Sequence, residues 1–231
     1  MKLSRKRILI VLSLVTLVYI VFQAFIVFHD DMKLSQSFWL EHHGIKELER
    51  EKPGNSEYTA LVKGISNHHF WVWRIALIGF IALAFYYRRR ERRRYILFRN
   101  IILSSLLLLL LAAGLLTWVL KLSLGKPRPS SGIAEYLPWS LSTKYHSFPS
   151  GHTTETFSYL FPYMYFVRRH LLSIALVLYG IAMSMTRVLL AAHFLTDVLF
   201  GMYMTIAAGL ILCVFIEERF DPPARELMQN R

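Results

Sequence analysis

Apolar residues dominate six stretches of this chain: Ile8 to Phe28, Phe70 to Tyr87, Ile101 to Leu120, Thr153 to Val167, Leu171 to Leu190, and Phe194 to Ile216. Polar and charged residues crowd the gaps between them. Runs of about 18 to 20 apolar residues are long enough to cross the hydrocarbon core of a bilayer as helices. The pattern therefore predicts an all-α, polytopic membrane protein, with six transmembrane helices in one bundle forming a single domain over residues 1–231. The fourth run is short and carries Glu155, so its helix is expected to begin at Gly151 or His152. The first follows a basic start, MKLSRKR, as a secretory signal would, but it is longer than the roughly 7 to 15 residues of a signal core. It also ends in FQAFIVFHDD rather than at small residues, and reads as an uncleaved anchor.

Composition agrees with this pattern: 55% of the 231 residues are hydrophobic, above the roughly 45 to 50% of soluble domains. No internal repeat, low-complexity segment or separate soluble domain interrupts the series. The net charge of +12 would suit a nucleic-acid binder, but its distribution points to a membrane instead. With the amino terminus inside, the inner segments hold sixteen Lys and Arg, including the run RRRERRR, against five acids. The outer segments, 29–69 and 121–152, hold nine against eight. An excess on one side is the positive-inside bias, so both termini are expected in the cytoplasm and no nucleic-acid partner is expected. Cys213 is the sole cysteine and lies in the sixth run, so no intrachain disulfide can form.

Three polar clusters fall on the outer side of this topology. Lys121 and Arg128 follow the third run in KLSLGKPRP, HSFPSGHT precedes the fourth, and TRVLLAAHFLTD joins the fifth to the sixth. Singly, these are ordinary snorkelling cations, an ordinary helix start and a polar pair at a span entrance. Together they assemble the requirements for binding and attacking a phosphate. Arg128 and Arg187 offer planar forks matched to phosphate oxygens, and Lys121 adds a compact charge. Ser150 and Gly151 open a helix whose free N–H groups and positive dipole end favour an anion. His193 and Asp197 are four residues apart, which on a helix places them on one face. A carboxylate on one ring nitrogen would fix the tautomer and leave the other free to attack phosphorus. His152 then supplies a proton to the departing oxygen. Three cations neutralise the phosphoryl group without a divalent metal, so no metal and no cofactor are expected.

On these residues the chain resembles the type 2 phosphatidic acid phosphatase superfamily, which also contains the vanadium haloperoxidases. The family signature is Lys, six residues, Arg-Pro; then Pro-Ser-Gly-His; then Ser-Arg, five residues, His, three residues, Asp. This chain has Lys121 to Arg128-Pro129, Pro149-Ser150-Gly151-His152, and Thr186-Arg187 to His193 to Asp197, departing only at Thr186. The resemblance covers residues 97–216, the expected catalytic core. It implies a metal-independent lipid phosphatase with His193 as nucleophile, Asp197 orienting it and His152 as general acid. Lys121, Arg128, Ser150, Gly151 and Arg187 would hold the phosphate.

The haloperoxidases of the pattern are soluble, which sets that activity aside for a six-span chain. A lipid-to-lipid phosphotransferase shares every catalytic residue and stays open. A non-enzymatic lipid transporter would explain the bundle but not two histidines with an aspartate. The outer loop 29–69 carries Leu34, Phe38, Ile45 and Leu48 at near-helical spacing beside Trp39, which suits either an interfacial helix that guides a lipid headgroup or a packing helix. His42-His43 and His68-His69 are adjacent pairs that do not face one another on a helix, and are not read as metal ligands. The expected partners are the bilayer and a lipid phosphate: a polyprenyl pyrophosphate, phosphatidylglycerol phosphate, phosphatidic acid or a phosphorylated lipid A. The expected location is a bacterial inner membrane, with the site facing the periplasm or exterior. Nothing in the sequence bears on oligomeric state.

Overall fold

The computed structural model describes residues 5–28, 31, 33 and 57–220. All regular structure among them is helical. The helices are α1 (Arg5–Phe28), α2 (Glu57–Tyr87), α3 (Arg92–Leu124), α4 (Gly151–Val167), α5 (His170–Leu189) and α6 (Leu195–Phe220). Each apolar run forms a helix, and α4 starts at Gly151 as its sequence suggests. The second run extends further than expected: α2 begins at Glu57, not Phe70, so the last part of the 29–69 segment is helical rather than loop. Its added turns carry Thr59 and Ser66, both buried against the bundle, which polar side chains in a loop would not require. The stretch 34–48, with His42 and His43, lies outside the described residues.

Among the described residues, four helices are long and apolar enough to cross a membrane: α2 from Thr59, α3, α5 and α6. α1 adds a shorter apolar helix, Leu9–Phe25, and α4 has 17 residues. The surface is that of a multi-pass membrane protein: Leu171 is 83% exposed, Phe85 69% and Leu110 65%. Large apolar side chains point outward because lipid is as good a solvent for them as a protein core. The interior is small and hydroxyl-rich instead. α4 lies at its centre against α3, α5 and α6, while α1 lies on α6 and α2 on α3 and α5. α4 buries Thr153, Thr154, Thr156 and Ser158 beside Phe157 and Leu160, and each hydroxyl has a partner. Ser158 Oγ, for instance, donates to the Thr154 carbonyl at 2.7 Å. Gly201 lets α6 approach the start of α4 closely, since a Cβ there would stand 3.2 Å from the Ser150 carbonyl oxygen. Glu155, the carboxylate in the fourth run, pairs with Arg74 of α2 at 3.5 Å.

Two features of α3 set the position of the loop after it. A π-type stretch over Leu109–Leu116 widens the helix one turn before Lys121, and Thr117 Oγ1 donates to the Ala112 carbonyl there at 2.8 Å. Such insertions rotate the downstream face, and they concentrate at functional sites. The helix then stops at Gly125, whose φ is +55° and where a Cβ would meet the Leu137 carbonyl oxygen at 2.0 Å, so only glycine fits. The loop 125–150 folds back across the helix ends. Arg128 N–H donates to the Lys144 carbonyl at 2.8 Å, Ser147 N–H to the Lys126 carbonyl at 3.0 Å, and Ser130 N–H to the Ala191 carbonyl at 2.9 Å. Pro129 holds the preceding Arg128 extended, at φ −77° and ψ 148°.

Candidate active site

The three polar clusters, separated by up to 76 residues from Lys121 to Asp197, meet at one end of the bundle. Lys121 reaches across to the start of α4, where its Nζ stands 3.4 Å from the position a Cβ would take on Gly151. A glycine here leaves room between ammonium and helix end. Arg128, Arg187 and Asp197 all lie within electrostatic reach of Lys121. His193 in turn feels Asp197, Lys121 and Arg128. Arg187 is anchored from α2, donating through Nη1 to Ser66 Oγ at 2.8 Å.

The Nε–H groups of Arg128 and Arg187 are buried and have no hydrogen-bond partner among the described residues. Buried donors are almost always paired, and an unpaired one costs about 1 to 3 kcal/mol. Two such donors on guanidinium groups close enough to feel each other's charge make a donor set that fits a tetrahedral oxyanion. Burial lowers the Arg128 pKa from its ordinary value, with Asp197 opposing the shift, yet a guanidinium stays charged in this setting.

The histidine pair departs from the helix-face geometry read from its spacing. His193 precedes α6 and is not on it, so the four-residue interval does not lay the two side chains along one helix face. Asp197 is in the first turn of α6 and reaches back to accept the Phe194 N–H at 3.0 Å, in the manner of a capping box. Its Oδ2 lies 3.8 Å from His193 Nδ1, too far for a hydrogen bond. The Nδ1–H instead donates to the Ser147 carbonyl at 2.6 Å, while Ser147 Oγ donates to Asp197 Oδ2 at 2.5 Å. Ser147 thus connects carboxylate and imidazole, and the expected tautomer results from a different partner. A carbonyl accepts, so the proton is on Nδ1 and the Nε2 lone pair is free. Burial holds His193 well below its ordinary value, at about 4, with Lys121 and Arg128 adding to the shift and Asp197 opposing it. The ring is neutral at physiological pH, the form a nucleophile needs.

Ser150, expected to hold the phosphate at the helix start, also links two helices. Its N–H donates to the Asp197 carbonyl at 3.1 Å, which ties α4 to α6, and its hydroxyl accepts from Thr153 Oγ1 at 3.0 Å. His152 lies in the first turn of α4 next to Gly151, half-buried.

Lys126, Ser147, Ser66 and Asp31 join the site without having stood out in the sequence. Lys126 Nζ donates to Asp197 Oδ1 at 2.7 Å and to Thr196 Oγ1 at 3.2 Å, and lies 3.7 Å from Asp31 Oδ2. Asp31 also accepts from the Thr196 N–H and hydroxyl, which joins the segment after α1 to the start of α6. The Asp197 carboxylate, with no exposed side-chain area, is therefore saturated by a lysine, a serine and a backbone amide. A sequence signal existed only for Lys126, a third cation in KLSLGKPRP. Among the described residues, no three His, Cys, Asp or Glu side chains group as metal ligands.

A membrane helical bundle with a buried, partly unpaired cationic cluster around a neutral imidazole is a class of site built for anions. The PAP2 superfamily model matches residues 102–221, more than half of the chain, and the chain belongs to that superfamily. Its curated relatives include the lipid A 1-phosphatases of Rhizobium johnstonii and Rhizobium etli, each 32% identical over 94 residues. The match spans 39% of this chain and only 38% and 40% of those two proteins. No solved structure matches the chain.

Proposed function

We propose that this protein is a lipid phosphatase that releases phosphate from a membrane lipid through a phosphohistidine. The observation that carries the reading is the pair of buried Nε–H groups on Arg128 and Arg187, with no partner among the described residues, near the neutral ring of His193. Membership of the superfamily and the names of the Rhizobium relatives support it, and they put a lipid A 1-phosphate first among the four candidate substrates. In the first step, His193 Nε2 forms a bond to phosphorus as the bond to the lipid oxygen breaks, and His152 gives that oxygen its proton. In the second, water attacks phosphorus while His152 takes the proton, the N–P bond breaks, and orthophosphate leaves. Lys121, Arg128 and Arg187 stabilise the equatorial oxygens, with the start of α4 at Gly151 behind them. The Ser147 carbonyl and the Asp197–Lys126 pair hold the attacking ring.

The same proposal includes six crossings with both termini in the cytoplasm, the site on the outer face of a bacterial inner membrane, and independence of metal. The test is phosphate release by the full chain in detergent from lipid A 1-phosphate, a polyprenyl pyrophosphate, phosphatidylglycerol phosphate and phosphatidic acid, with and without EDTA. The expected result is turnover of at least one substrate that survives EDTA. Silence on all four would contradict the reading. Loss with EDTA restored by one particular divalent ion would contradict metal independence.

A further inference from the structure

At the other end of the bundle, about 30 Å along α3 from Lys121, a cavity of about 360 Å³ opens between the end of α2 and the beginning of α3. Ala84 and Phe85 of α2 and Ile102 and Leu103 of α3 form its apolar walls, and Arg88 and Arg99 stand among its lining residues. On α3, Arg99 shares a face with Ile102 and Leu103, three and four residues on, while Arg88 lies in the turn directly after α2, next to the end that carries Ala84 and Phe85. The two arginines are at the ends nearest the RRRERRR turn, so charge lies toward water and the walls toward lipid.

Two other cations of that turn are engaged elsewhere. Arg90 and Arg94 lie over the rings of Tyr86 and Tyr87 and donate to their hydroxyls, and Arg94 also pairs with Glu91 at 2.9 Å. Arg99 is fixed in place: its Nε and Nη2 donate to Asn100 Oδ1, and Nη2 donates to the Phe220 carbonyl at the end of α6 at 3.0 Å. That leaves its Nη1 donors for another acceptor. The Arg88 side chain is exposed.

We infer that this groove is a binding site for an anionic glycerophospholipid, separate from the candidate active site: the acyl chain lies along Ala84, Phe85, Ile102 and Leu103, and the phosphate meets Arg88 and Arg99. A neutral lipid would fill the apolar walls but leave the paired cations without their counter-charge. Basic pockets between helices at a membrane surface select anionic headgroups for this reason. The inference uses no residue of the Lys121–His193 cluster, so it stands or falls apart from the catalytic reading.

The test reconstitutes the full chain in phosphatidylcholine nanodiscs with a trace of spin-labelled phosphatidylglycerol or spin-labelled phosphatidylcholine, and reads the motionally restricted fraction of each. The wild type is expected to restrict phosphatidylglycerol preferentially. Arg88→Gln should lower that preference about fivefold, the contribution of one arginine near a charged headgroup. Ala84→Phe, which fills the groove, should lower it as well. Arg92→Gln is the control, an exposed cation of the same run that does not line the groove, and should retain the preference. Equal restriction of the two lipids by wild type would overturn the inference. So would equal losses in Arg88→Gln and Arg92→Gln, which would mean diffuse attraction to the basic turn. Arg88 is exposed, so its variant remains decisive even where Ala84→Phe does not fold.

Discussion

Replacing Lys126 by methionine should move the acid limb of activity, though Lys126 is not expected to touch substrate. In the native site its ammonium sits 2.7 Å from Asp197 Oδ1 and compensates a carboxylate whose other oxygen is 3.8 Å from His193 Nδ1. Burial, with Lys121 and Arg128, holds His193 at about 4 against the opposing pull of Asp197. Without Lys126, a full negative charge faces the ring and favours imidazolium, the form that cannot attack. At an effective dielectric constant of about 20, unit charges 3.8 Å apart interact by about 4 kcal/mol, equivalent to about three pH units. This is a ceiling, because Ser147 and the Phe194 amide still share the charge. The acid limb of kcat/KM is expected to rise by about one to three units from its wild-type position near 4. The assay is the pH profile of wild type and Lys126→Met on one substrate, so that the ionisation of the substrate is common to both. Removing one partner of a buried pair typically costs about 3 to 5 kcal/mol, so the variant will be less stable. Lys126→Arg keeps the charge and should keep the limb near its original position. A Lys126→Met profile lowered equally at every pH, with its limb unmoved, would refute the electrostatic reasoning.

The two histidines should separate by leaving group. His193→Ala should abolish turnover of any substrate, while His152→Ala should lose about 100- to 10,000-fold on a lipid alkoxide and far less on p-nitrophenyl phosphate, whose leaving group needs no proton; equal losses on both would remove His152 as the acid. Gly151→Ala places a methyl 3.4 Å from Lys121 Nζ and 3.9 Å from Thr117 Cγ2, and should cut kcat/KM by up to about 100-fold with the thermal midpoint unchanged. A cysteine at Ser142 should react with an impermeant thiol reagent in spheroplasts and one at Arg93 should not; the reverse labelling would invert the proposed orientation. Stability in detergent should fall as pH drops from about 6.5 toward 4, because unfolded His193 binds a proton that the buried ring refuses. His193→Asn should flatten that dependence.

The helices and most of the site are legible in the sequence because both rest on residue type at fixed spacing. Apolar runs of span length have few alternatives in a chain this hydrophobic, and the cations, histidines and Pro-Ser-Gly-His turn carry their chemistry in their identities. What stays hidden depends on where helices start and which backbone groups they leave free. The interval from His193 to Asp197 resembles one helical turn, but Asp197 caps α6 and His193 lies before it, so Nδ1–H donates to a backbone carbonyl that no side-chain pattern can signal. Lys126 has the same composition as a snorkelling flank until the loop folds back and brings it to Asp197. Ser66 reads as a loop residue because the turns of α2 before Phe70 are too polar to read as a span. They are helical because Ser66 meets Arg187, 121 residues away in the chain, and Thr59 is buried.

The most direct measurement of the central claim is a rapid acid-free quench of the full chain turning over a substrate labelled with radioactive phosphorus, followed by mapping of the protein-bound label. The account predicts label on His193 that is stable to base and labile to acid, accumulates in His152→Ala if water attack becomes slower than its formation, and is absent in His193→Ala. Turnover that persists in His193→Ala, or label on another residue, would contradict it.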